Sequence, residues 1–184
     1  MNKKKNKVLR VMQLEDVFSE KVQRIASERG LSVHSAEYLT QVLVQKNRIP
    51  NESPILFDLY KKAIESDSKV AAHHYRELGD QALFVLGVFP QSLDRRGISK
   101  RYYKDMGSSA YECVAGILNQ PLYLELAHGF GPAAWTLSDV FQEFRLESEN
   151  DVFGLYESWL QTGCLRVLKR LKELGFHFDP QGVK

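Results

Sequence analysis

Apolar residues return every three or four positions along almost the whole chain, the period of helices with one buried face. Leu14, Val17, Phe18, Val22 and Ile25 mark a first helix, with Gly30 placed to cap its end. Ser32 or Ser35 can cap a second, carrying Ala36, Leu39, Val42 and Leu43, which has to stop before Pro50. Ser53 followed by Pro54 is a start signal for a third, with Leu56, Leu59, Tyr60, Ala63 and Ile64 as its buried set. The longest stripe of the first half runs from Ser68 to Phe89 through Ala71, His74 or Tyr75, Leu78, Ala82, Val85 and Leu86, and Pro90 closes it.

The stretch from Gln91 to Ile98 reads as a loop, after which Ser99 can cap a helix through Tyr103, Met106, Ala110, Cys113, Val114 and Ile117. A short helix from Leu122 to Ala127 is expected to stop in the cluster of Gly129, Gly131 and Pro132, and another to run from Leu137 to Leu146. Asn150 and Asp151 open a terminal helix carrying Leu155, Trp159, Leu165, Leu168 and Leu171, which can kink at Gly163 and end at Gly175. The only β-like piece, Phe176 to Phe178, is too short to count as a strand. The pattern therefore predicts an all-α fold: a compact single-domain bundle of seven or eight helices over residues 11–184, behind a basic, flexible tail over residues 1–10. Glycines inside these helices, Gly79, Gly87, Gly107, Gly116, Gly154 and Gly163, each cost about 1 kcal/mol relative to alanine, which close approach of two helix backbones can offset.

Composition narrows the class. At 43% hydrophobic and 26% charged residues, the chain of 184 residues sits within ordinary globular usage and can bury a core. Its longest apolar stretch, Ala82 to Phe89, is far too short to cross a bilayer. The first ten residues are basic like the start of a signal peptide, but Gln13, Glu15 and Asp16 stand where the apolar region should follow, so a cytoplasmic protein is expected. Cys113 and Cys164 have no CxxC partner or neighbouring His at zinc spacing and read as buried, reduced thiols. Five of the 25 basic residues lie in the first ten positions, leaving 20 against 23 acids elsewhere. Under a net charge of +2 there is thus a mildly acidic body, which argues against a DNA-coating domain.

Three constellations carry candidate chemistry. Arg95, Arg96, Ser99, Lys100, Arg101, Tyr102 and Lys104 gather cations and an aromatic ring around a helix start, where free amides and a partial positive charge favour phosphate or carboxylate. The plain alternative is a solvated loop with Asp94 or Asp105 pairing locally. Second, His73 and His74 precede Glu77 at spacings of four and three, and Glu125 precedes His128 at three, the Glu-x-x-His step of helical di-iron carboxylate proteins. These five could hold iron or manganese, although the di-iron pattern wants two such steps and two further glutamates. Their plain alternative is a helix salt bridge, a satisfied histidine and two groups facing water. Third, Arg166, Lys169, Arg170 and Lys172 with the basic tail could follow nucleic-acid phosphates, but Glu157 and Glu173 flank the run and its leucine stripe requires burial. Neither a nucleophile elbow nor a glycine-rich phosphate loop is present.

The segments Leu83 to Pro90, Tyr102 to Tyr111 and Leu155 to Gly163 resemble parts of an uncharacterised bacterial all-helical protein family. The resemblance spans roughly the second half of the chain, implies a helical fold in a bacterial cytoplasm, and brings no activity or site residue with it. The leading expectation is a non-enzymatic binding or regulatory module, without a cofactor, that meets an acidic protein partner or small anionic ligand. A metal-dependent oxidase of the di-iron or manganese type is the competing class, and a nucleic-acid-binding protein a further one.

Overall fold

The computed structural model describes residues 16, 18–46, 56–147, 155 and 165–173. Among them are nine helical segments and no strand, as the period predicts. They are α1 (18–28), α2 (Val33–Lys46), α3 (Leu56–Ile64), α4 (Ser68–Val88), α5 (Pro90–Arg95), α6 (Lys100–Leu118), α7 (Pro121–His128), α8 (Phe130–Glu147) and α9 (Leu165–Glu173). The basic tail, the Ser53-Pro54 start, the helix opening at Asn150, Gly154, Gly163, Cys164 and the piece from Phe176 to Phe178 all lie outside the described residues.

The hub is α4, which packs against α3, α6 and α8 and more lightly against α2 and α5. Eight consecutive residues, Leu78 to Val85, are buried there, so the helix is enclosed on every side rather than along one stripe. Glycine makes this possible. A Cβ on Gly79 would stand 2.6 Å from the Tyr111 ring of α6, one on Gly87 would stand 2.8 Å from the Ala134 carbonyl of α8, and one on Gly107 would strike the Phe130 ring and Ala82. The predicted tight packing is thus what these three positions provide, whereas the site of a Cβ on Gly116 is open.

Chain turns are made by named local devices. Behind α1, Gly30 takes φ 73° while the Leu31 and Gly30 amides donate to the Ala26 and Ser27 carbonyls at 3.0 and 3.1 Å, a Schellman ending. Behind α5 the same device recurs at Gly97, with Ile98 donating to Leu93 and Gly97 to Asp94.

Several expectations are corrected. Pro90 does not merely close α4: it occupies the first turn of α5, where its missing amide costs nothing, so most of the expected loop is helical. Likewise α8 begins at Phe130 and takes Gly131 and Pro132 into its first turn, one residue after α7 ends at the Gly129 cap. Tyr60 and Ile64 are exposed, leaving Leu56, Leu59 and Ala63 as the buried set of α3. Cys113 is exposed too, because the buried face of α6 follows Tyr103, Gly107, Ala110, Tyr111 and Val114.

Candidate functional site

The Schellman ending at Gly97 redirects the chain so that α6 starts at Lys100, with Ser99 extended before it and accepting a hydrogen bond from the Tyr103 amide through its carbonyl. The Ser99 side chain makes no capping bond, and no acid occupies the first turn of α6. Three of the predicted cations, Lys100, Arg101 and Lys104, line one groove of about 730 Å³, together with Asp105. The same groove is lined by Gly131, Pro132, Ala134, Trp135 and Ser138 of α8, with Leu86 and Pro90 contributing from α4 and α5 and His128 from the end of α7. Lys100 is 2.8 Å from Asp94, and Arg101 is 3.5 Å from Asp105. Arg95, Arg96, Ser99 and Tyr102 are not part of this lining.

Trp135 was not singled out by sequence, because a lone tryptophan at helical spacing reads as core. It is 60% exposed. Behind it, Arg29 from the end of α1 lies 6.0 Å from the ring centroid and is ion-paired with Asp139 one turn further along α8. A guanidinium over an indole face is an attractive arrangement, and the ion pair fixes it in place.

The histidines and glutamates of the metal reading are dispersed. Glu125 accepts hydrogen bonds from both the amide and the hydroxyl of Ser32, each at 2.7 Å, while the Ser35 amide donates to the Ser32 hydroxyl at 3.1 Å. It therefore helps to cap α2 from across the bundle. Burial pushes the Glu125 carboxyl up, but the bonds from Ser32 and Ser35 and the charge of His34 together outweigh it and hold the group below the usual carboxylate range. His74 Nδ1 lies 4.0 Å from Glu77, His73 is exposed beside it, and His128 lines the groove instead. Among the described residues, no three His, Cys, Asp or Glu side chains are grouped to hold a metal ion.

A polar centre that sequence reasoning passed over lies inside the hub. The hydroxyls of Tyr38 and Tyr111 donate to the same oxygen of Asp80, at 2.5 and 2.8 Å. The Tyr123 ring stands 5.6 Å from that of Tyr38 and 6.0 Å from that of Tyr111. Burial drives the Asp80 carboxyl upward against the two phenol bonds and the charges of Lys46 and Arg76, which pull it down. Burial, followed by the Asp80 charge, holds both phenols protonated far above their usual range. The available signal was an acid inside the longest apolar stripe, between Gly79 and Gln81.

No family model, curated protein or solved structure matches the chain, in keeping with its resemblance to an uncharacterised helical family. No helix among the described residues is long and apolar enough to cross a membrane.

Proposed function

We propose that this protein is a non-enzymatic cytoplasmic binding module, acting in regulation, that takes a small anionic ligand in the groove at the start of α6. The observation that supports this reading is the convergence of Lys100, Arg101 and Lys104 on one cavity whose lining includes a single carboxylate, Asp105. Cations in the first turn of a helix oppose its dipole, at about 0.3–1 kcal/mol each where they are exposed. The pairs with Asp94 and Asp105 relieve this in part at Lys100 and Arg101, and a bound anion would relieve it further. A volume of about 730 Å³ suits a compact ligand better than the broad face of a protein partner.

The test is calorimetric titration of the full chain with inorganic pyrophosphate, at low and at moderate salt. Binding should weaken as salt rises and fall at least tenfold when Lys100, Arg101 and Lys104 are all replaced by Gln. A triple variant that binds like the wild type removes the groove from consideration.

A further inference from the structure

Resting on that groove reading, we infer that the ligand is a nucleoside phosphate, with its base stacked on Trp135 and its phosphates held by Lys100, Arg101 and Lys104. Trp135 is the one exposed large hydrophobic among the residues lining the groove, and at 60% exposed its indole offers a broad flat face beside the cations. One of its faces meets the guanidinium of Arg29, which is 6.0 Å from the ring centroid, ion-paired with Asp139 and outside the groove lining, and this leaves the other face for a ligand. Stacking on such a platform is available to every nucleobase, because each has a π face.

The wall beside the indole is made for a flat group. Gly131 and Ala134 contribute almost no side-chain bulk, and a Cβ placed on Gly131 would meet nothing within 4 Å. In the same lining, Lys100 and Lys104 are one helical turn apart, which spreads positive charge over about 6 Å along α6. A single carboxylate could not use that length, whereas a chain of phosphates could. The volume of about 730 Å³ falls within the usual range for cofactor-sized ligands. An acidic peptide would satisfy the cations but leave the indole uncovered.

The experiment titrates the full chain with ADP, GDP, CDP and UDP in turn, and with adenosine, inorganic pyrophosphate and a polyglutamate peptide as references. Trp135→Ala and Lys104→Gln are measured alongside, and both positions are exposed enough for the fold to survive, which circular dichroism checks. At least one nucleoside diphosphate should bind ten times more tightly than adenosine or pyrophosphate. Trp135→Ala should erase that advantage while leaving pyrophosphate affinity unchanged, and Lys104→Gln should weaken both. If pyrophosphate binds but no nucleotide exceeds it, or if Trp135→Ala leaves nucleotide affinity intact, the nucleotide assignment is overturned and the anion groove survives. Tighter binding of polyglutamate than of any nucleotide overturns it in favour of an acidic peptide. If no anion binds, both readings fall together.

Discussion

Asp80 shows what a buried charge demands of its neighbours. Its carboxyl is enclosed on α4, and the two phenols that donate to it come from α2 and α6, so three helices meet at one oxygen. Asp80→Ala would leave both hydroxyls buried without their acceptor, and about 2–5 kcal/mol of stability should disappear in a denaturant titration. The effect of pH has a definite sign. Because the carboxyl is raised in the folded chain, it favours folding below its ordinary value of about 4 and loses that contribution as pH rises through the folded value. Wild-type stability measured against Asp80→Asn should therefore decline as pH climbs above about 4, and a rise over that window would contradict the assignment.

Glu125 has the opposite sign. Its depressed value means that its contribution is present above the ordinary carboxylate range and is lost as pH falls through the folded value. Glu125→Ala should cost about 1 kcal/mol at neutral pH, the worth of a helix cap, with little difference from wild type in strong acid. At this scale the sequence was only partly legible. Residue type and spacing picked out Glu125, but not that Ser32, 93 positions earlier, is its partner. The same spacing placed Cys113 inside, where one step around the helix in fact leaves it outside.

Helices fared better than single side chains, for a physical reason. The bounds of α4 and α6 follow from long stripes and strong punctuation at Pro90 and Ser99, and both agree with the structure to within a residue. What was missed, α5 and the first two turns of α8 ahead of Leu137, came from treating Pro90, Gly131 and Pro132 as stops when proline also starts helices. Gly97 with Pro90 was a readable bracket around α5. The glycines give a paired prediction. Gly87→Ala pushes a Cβ against the Ala134 carbonyl, a backbone atom that cannot swing away, and should destabilise by about 1–3 kcal/mol. Gly116→Ala enters open space in α6 and should stabilise by up to about 1 kcal/mol. Thermal unfolding of the two variants should move in opposite directions; movement in the same direction would contradict the packing described for α4 and α8.

Across the molecule, α1 is fastened to α8 by two kinds of contact with unequal weight. Phe18 stacks on Phe141 at 6.0 Å between ring centroids and is 1% exposed, while Arg24 makes two bonds of 2.6 Å to Glu143 near the surface. Exposed ion pairs are screened and contribute little, whereas a buried aromatic ring is among the costliest side chains to remove. Phe18→Ala should therefore cost about 3–5 kcal/mol, and Glu143→Gln should leave the unfolding midpoint nearly unchanged. The groove belongs to this scale as well: α4, α5, α6, α7 and α8 all contribute to its wall. No local stretch of sequence could announce it, although three of its cations stood together in the chain.

The paired phenols on Asp80 also set an alkaline limit on the fold. Once the pH passes about 10, an unravelled chain surrenders the protons of Tyr38 and Tyr111, whereas the intact bundle retains them, and each phenol then tilts the balance toward unravelling by about 1.4 kcal/mol per pH unit. Of the eight tyrosines, these two should contribute phenolate absorbance only when the bundle opens, so ultraviolet titration in strong base doubles as an optical gauge of its collapse.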